Sequence, residues 1–241
     1  MKLKKVFQRK ETKYLFTQQQ FDAFFNELQH YMTVDQYGLH TIRSLYYDTD
    51  NDHFIRHSMD KPQYKEKFRI RSYGTPTNDS LVFLEIKKKV KGIVYKRRLP
   101  LTYLDYQRWE QTGVLPSELQ HTQIAQEINW LFLKHTDLAP KVLISYDRLS
   151  LFLEDDDDFR VTFDQNIRYQ ANQVALAASR GELVAPELDV LMEVKAMGAY
   201  PLWFVELLTK HHVQKGSFSK YAETYQRHLF VRTKEGNNYA I

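Results

Sequence analysis

Two periodicities run along the chain. Phe21, Phe24, Phe25, Leu28 and Met32 recur at helical spacing. Thr17 with Gln20 three residues later makes a capping-box pattern, so a helix is expected over Thr17–Met32. Ile124, Ile128, Leu131 and Phe132 predict a second helix from Ser117 to Lys134, with Trp130 and Trp203 as core candidates. A shorter helix fits between Thr102 and Gly113, which stops it. Pro201 opens a helix carrying Leu202, Trp203, Val205 and Leu208. A last helix starts near Ser217–Ser219 and continues through Tyr225 and Leu229. Asp48 and Thr49 read as a turn leading into a helix. Period-two alternation marks strands at 5–15, 40–48, 64–73, 80–90, 93–100, 141–153, 159–169 and 187–197. Eight strands with appended helices predict an α+β fold built on one antiparallel sheet, not βαβ units. Glu154 to Asp158 reads as a solvated hairpin turn. Without a Pro/Gly/Ser linker or a repeat, one domain of residues 5–232 is expected, followed by a tail, 233–241.

Composition narrows the classes. Of 241 residues, 43% are hydrophobic and 27% charged, which suits a folded globular chain rather than a disordered one. No apolar run approaches the 18 or so residues of a membrane span, and the basic N-terminus lacks the apolar segment of a signal peptide. The absence of cysteine excludes disulfides, thiol catalysis and thiolate metal sites, and suits a cytoplasmic location. A net charge of +4 weakly favours an anionic partner. His211 and His212 are adjacent and cannot face one site together.

The placement of charge is more informative. A half-buried strand usually carries mixed charge on its polar face. Here Lys65, Lys67, Arg69 and Arg71 share one face, with Phe68 and Ile70 on the other. Glu85, Lys87 and Lys89 share a face, as do Lys96 and Arg98. So do Arg9, Glu11 and Lys13, Tyr146 and Arg148, Arg160 and Asp164, and Glu193 and Lys195. Lysines that guard strand edges would explain one such row, but not several. Cations bind phosphate oxygens, arginine often bidentately. Interspersed carboxylates suit a hard divalent ion bridging those oxygens. If the charged faces point inward, the strands must close into a barrel lined by charge.

These rows lie in segments that resemble the polyphosphate polymerase (VTC) domain family, within the triphosphate tunnel metalloenzyme or CYTH-like superfamily. They are RKETKYLF at 9–16, SLYYDT at 44–49, YKEKFRIRSYG at 64–74, FLEIKKK at 83–89, YKRR at 95–98, SYDR at 145–148, RVTFD at 160–164, MEVK at 192–195 and SFSKY at 217–221. The resemblance implies an antiparallel eight-stranded β-barrel tunnel with helices packed outside. It implies transfer of the ATP γ-phosphate to a growing polyphosphate chain, dependent on a divalent metal, manganese before magnesium. Its catalytic and phosphate-binding positions fall on Lys13, Arg69, Arg71, Lys87, Lys96, Tyr146, Arg148 and Lys220. Glu11, Glu85, Lys195 and Ser219 join them as substrate-binding residues, and Glu193 as the metal carboxylate. Eukaryotic members work with membrane subunits, so a membrane-protein partner is implied beside ATP and polyphosphate. Where those members carry a lysine, this chain has Ser217, with Lys215 the nearest substitute.

Three functions share this scaffold. A polymerase needs positioning and charge, not a protein nucleophile. A triphosphatase would use water, but the cousins' Glu-x-Glu-x-Lys row is Arg9-x-Glu11-x-Lys13 here, with a cation replacing its first carboxylate. A non-catalytic polyphosphate or nucleotide-binding module is the third. The 16 Tyr and 15 Phe could stack bases, but fall mainly at core positions, so no nucleic-acid partner is expected.

Overall fold

The computed structural model describes residues 10–154 and 156–230. Arg9, the start of the strand expected at 5–15 and the tail expected at 233–241 lie outside them. The chain runs β1 (Lys10–Phe16), α1 (Gln18–Leu28), β2 (Thr33–Val34), β3 (His40–Asp48), α2 (His53–Met59), β4 (Tyr64–Tyr73), β5 (Leu81–Val90), β6 (Ile93–Thr102), α3 (Tyr103–Thr112), α4 (Ser117–Gln120), α5 (Gln123–Lys134), β7 (Ala139–Leu153), β8 (Asp156–Gln170), β9 (Glu182–Leu183), β10 (Val190–Ala196), α6 (Leu202–Lys210), β11 (Lys215–Gly216) and α7 (Lys220–Thr224). A π-helical turn, Tyr225–Leu229, extends α7.

Eight long antiparallel strands stand in the order β1-β10-β8-β7-β3-β4-β5-β6, with β11 flanking β1. The α+β class and the antiparallel sheet are as expected. Closure differs: β6 and β11 end the order, so backbone pairing does not complete a ring among the described residues. The wall is nevertheless strongly curled. Four strands separate β10 from β5, yet Lys87 on β5 acts electrostatically on Lys195 of β10. The inner faces must therefore approach across the concavity.

The alternation sets which face is inner. Phe68 and Ile70 on β4, Leu84 and Ile86 on β5 and Leu99 on β6 pack outward against Tyr106 and Trp109 of α3 and Ile128 and Leu131 of α5. Tyr14, Phe163 and Met192 pack outward against Phe21 and Phe24 of α1 and Phe204 of α6. Each large apolar side chain so buried contributes about 1.5–3 kcal/mol. A third cluster lies on the inner side, where Tyr46, Ile144, Tyr146 and Leu191 meet Phe218, Tyr221 and Tyr225. Through it α7 and the π turn fill one end of the concavity.

Local signals explain the helix limits. Thr17 and Gln20 cap α1 reciprocally, as the pattern implied. Gly113, at φ 71°, ends α3. The helix expected over Ser117–Lys134 is two, because the Thr122 hydroxyl accepts the Ala125 N–H and starts α5 afresh. Trp130 is not a core residue and stays 67% exposed. Ile128 and Leu131 take the inner face of α5, and Trp130, two residues from Ile128, points about 200° from it. Trp203 is half-buried and stacks on Tyr31 at 4.4 Å between ring centroids. No described helix is long and apolar enough to cross a membrane.

Candidate functional site

With the apolar residues turned out, the opposite positions line the concavity. Two carboxylate centres organise them.

The first belongs to β4, β5 and β6. Their register sets Arg69, Glu85 and Arg98 side by side. Glu85 is 1% exposed and accepts from Arg69 Nε at 2.8 Å and from Arg98 Nε at 2.8 Å. Lys96 Nζ lies 3.3 Å away and Arg71 Nε 3.8 Å. Burial alone would raise the Glu85 pKa, but the charges of Arg69, Arg71 and Lys96 outweigh it and hold the carboxyl well below its usual range. Arg69 also donates to the Tyr46 hydroxyl at 2.9 Å, and Arg71 to the Tyr146 hydroxyl at 3.4 Å. Burial raises the Tyr46 pKa too, and Arg69, Lys67 and Arg71 overcome it, bringing the phenol down to about 8.

The second centre gathers β1, β7, β8, β10 and α7. Arg148 grips Asp164 with two bonds, of 2.6 and 2.7 Å, and reaches Glu193 at 3.3 Å. Lys220 pairs with Asp164 and lies 3.4 Å from Glu193. Lys13 lies 3.2 Å from Glu193 and donates to the Phe218 carbonyl at 2.6 Å. Lys220 also stands 4.4 Å over the Tyr146 ring. Against the cost of burial, Lys220, Lys13 and Arg148 hold Glu193 ionised, and Arg148 and Lys220 do the same for Asp164.

Asp48 fixes α7 from below. Its carboxylate accepts the Phe54 and Ile55 N–H groups at 2.8 and 3.0 Å, opening α2, and the Tyr221 hydroxyl at 2.8 Å. Tyr221 follows Lys220, so this bond sets where Lys220 stands. The turn read at Asp48 is therefore also a buried anchor.

The structure thus brings together Lys13, Arg69, Arg71, Lys96, Tyr146, Arg148, Lys220, Glu85 and Glu193. Lys87 and Lys195 line the same face between the two centres. Glu11 is exposed at the rim, 3.9 Å from Lys195. Ser219 is exposed, and as the residue preceding α7 its side chain makes no cap hydrogen bond. Lys215 and Ser217 border a cavity of about 490 Å³ with Lys13 and Ser219. Lys215 pairs with Tyr14 rather than with Lys13, so it starts from the outer face. Arg43 is buried and turned away from the concavity, donating to the Leu176 and Ala178 carbonyls.

The VTC domain profile matches residues 8–229. The chain belongs to the VTC domain family. No curated protein matches it. Among solved structures, a candidate adenylate cyclase from Bacillus halodurans shares 13% identity at a TM-score of 0.57, covering 91% of this chain and 96% of that one. A candidate adenylyl cyclase from Hippeastrum, described as having a dominant triphosphatase activity, shares 13% identity at a TM-score of 0.52, covering 90% and 94%. At such identities the likeness is one of fold, and that fold is the triphosphate-tunnel, CYTH-like one.

Arg98, Asp164 and Tyr46 are residues of this VTC domain that sequence reasoning left out of the site; Arg98 shared a face with Lys96 and donates to Glu85. Asp164 was grouped with Arg160, but Arg160 pairs at the surface with Asp35. The available signal for Asp164 was a carboxylate flanked by Val161, Phe163 and Ile167, positions of the buried core. Tyr46 sits beside Tyr47, and strand alternation turns one inward and the other into the outer core.

The metal implied by the family can be weighed against these residues. Among the described residues no three His, Asp or Glu side chains form a self-contained cage. A hard divalent ion is commonly held by one or two carboxylates and completed by substrate phosphates. Asp164 and Glu193, two ionised carboxylates sharing Arg148 and Lys220, meet that requirement.

Proposed function

We propose that residues 5–232 form one unit that transfers the ATP γ-phosphate to a polyphosphate chain in this concavity. The observation that carries this reading is the state of the carboxylates. Glu85, Asp164 and Glu193 are each clasped by cations that hold them ionised and make them weak bases. Water as a nucleophile benefits from a base. The terminal phosphate of a polyphosphate is already anionic and needs only to be positioned and screened.

The residues divide that task. Arg69, Arg71 and Arg148 offer forked donors to phosphate oxygens, and Lys13, Lys96 and Lys220 offer point charges. The Tyr146 hydroxyl, already accepting from Arg71, has a proton to donate to an oxygen of the chain. Glu193 and Asp164 would hold a divalent ion, manganese before magnesium, which supplies neutralisation of charge on the phosphate oxygens. Arg148 and Lys220 would then turn from carboxylate to phosphate.

Incubating the purified chain with ATP and Mn²⁺ tests the reading. ADP with polyphosphate is the expected product. Phosphate released without polymer would make it a triphosphatase. No turnover, with tripolyphosphate still raising the melting temperature, would make it a binding module.

A further inference from the structure

Away from the concave site, the turn between β5 and β6 stands clear of both layers of the fold. Lys91 and Gly92 join the strands at φ 47° and 88°, positive at both positions as a tight two-residue turn requires. The Lys91 N–H donates to the Gln63 carbonyl at 2.7 Å, which ties the turn to the chain entering β4. The residues that follow are all open: Ile93 is 48% exposed, Val94 50% and Tyr95 48%. Strand alternation sends Ile93 and Tyr95 to the helical face and Val94 to the concave face, so this end of the wall is uncovered on both sides. Val90 and Tyr64 stand in register with Ile93 and complete an apolar row across three strands.

Positive charge surrounds this apolar tip. From Lys87 to Arg98, seven of the twelve residues are cationic and none is acidic. Lys96 and Arg98 turn to Glu85, and Lys88 and Arg97 to Glu127 of α5. Lys89 and Lys91, nearest the turn, are exposed and form no ion pair among the described residues. Protection of the β6 edge accounts for lysines, but not for three consecutive exposed apolar residues among them. A second copy of the chain would bring a tip of the same sign against this one, and the two would repel. A nucleic acid would meet the cations but leave Val90, Ile93 and Val94 without a role, since aliphatic side chains offer no ring for bases to stack on. An anionic bilayer satisfies both halves of the pattern: its acyl boundary takes aliphatic side chains, its head-group level takes tyrosine, and its surface potential attracts lysine.

We propose that the β5–β6 turn is a peripheral docking point for an anionic phospholipid surface. Val90, Ile93 and Val94 dip into the acyl boundary, Tyr95 sits at the head groups, and Lys89 and Lys91 meet lipid phosphates. The contact lies at the end of the wall, beyond Lys87 and Lys96, and needs no turnover in the concavity.

Flotation of the full chain with phosphatidylcholine vesicles, with and without phosphatidylserine, tests this. The wild type should float with the anionic vesicles at low salt and stay behind with the neutral ones. Ile93→Thr/Val94→Thr keeps β-branched residues in the strand and should weaken binding about tenfold. Lys89→Gln/Lys91→Asn, with asparagine suited to the positive φ, should also weaken it about tenfold and flatten its salt dependence. If either variant does not fold, Tyr95→Trp carries the comparison: its added fluorescence should be quenched by lipids brominated high on the acyl chain. Tripolyphosphate at matched ionic strength should leave flotation in place; displacement would put the head groups in the concavity and overturn the proposal. So would a wild type that does not float, or flotation unchanged by Ile93→Thr/Val94→Thr. Loss confined to the lysine variant, with equal binding to duplex DNA, would replace the lipid surface by a general polyanion contact. A dimer in solution that Ile93→Thr/Val94→Thr dissolves would make a second copy the occupant instead.

Discussion

The two carboxylate centres solve the same problem with different parts. Glu85 gathers Arg69, Arg71, Lys96 and Arg98 from three consecutive strands, within thirty residues of sequence. Asp164 and Glu193 gather Lys13, Arg148 and Lys220 from five elements spread over the whole chain. The first has one carboxylate for four cations, so it keeps a surplus of positive charge for an anion. The second has two for three, close to neutral. Surplus charge suits phosphate binding, and paired carboxylates suit a metal that bridges phosphate.

The largest expected effect is on stability at the first centre. Glu85→Gln keeps the shape and leaves four cations facing one another around a neutral amide. Removing one partner of a buried ion pair costs about 3–5 kcal/mol. Chemical denaturation should show a loss of that size, partly restored by tripolyphosphate. A variant as stable as the wild type would mean that Glu85 is solvated and that the centre is not closed.

Glu193→Gln should cost less stability, because Asp164 remains to satisfy Arg148 and Lys220. Its effect should appear in turnover. Loss of a carboxylate that would hold the charge-neutralising metal is expected to cost about 10²–10³ in rate. Tripolyphosphate binding should persist or tighten, since a repulsive charge is gone. Manganese-dependent turnover at the wild-type rate would dissociate the second centre from metal chemistry.

The same contrast explains what could be read from the sequence. At the first centre the wall follows from alternation alone: Phe68 and Ile70 are apolar, Arg69 and Arg71 are not, and strand parity does the rest. The second centre depends on which distant elements meet. A bulge between Ser145 and Asp147 shifts the β7–β8 register just before Arg148 reaches Asp164, and no local pattern announces it. Lys220 is placed by Tyr221 on Asp48, a contact spanning 173 residues. Parity alone likewise does not say whether the ring of strands is completed, since β6 and β1 are far apart in sequence. Trp130 misled for the opposite reason, because hydrophobicity outweighed its position on the helix wheel.

The smallest expected effect is a pH dependence that separates ligand-free from phosphate-bound protein at the first centre. Tyr46, Lys67 and Lys96 are each brought to about 8. For Lys67 and Lys96 burial lowers the pKa, so the folded state disfavours their charge below pH 8 and loses that penalty as pH rises toward the unfolded value. For Tyr46, Arg69, Lys67 and Arg71 overcome burial, so the phenolate is favoured in the fold, and its contribution also grows above pH 8. All three signs agree: ligand-free protein should gain stability between about pH 8 and 9.5. Above that window Tyr47, Tyr106 and Tyr221, whose pKa values burial raises, ionise in the unfolded chain near 10 and reverse the trend. Phosphate binding should run the other way across the same window, since two cations are lost and an anion appears. Melting curves with and without tripolyphosphate, from pH 7 to 9.5, should therefore converge as pH rises. Tyr46→Phe should weaken the convergence without abolishing it, because Lys67 and Lys96 still titrate. Curves that stay parallel would show that none of the three groups touches the bound chain.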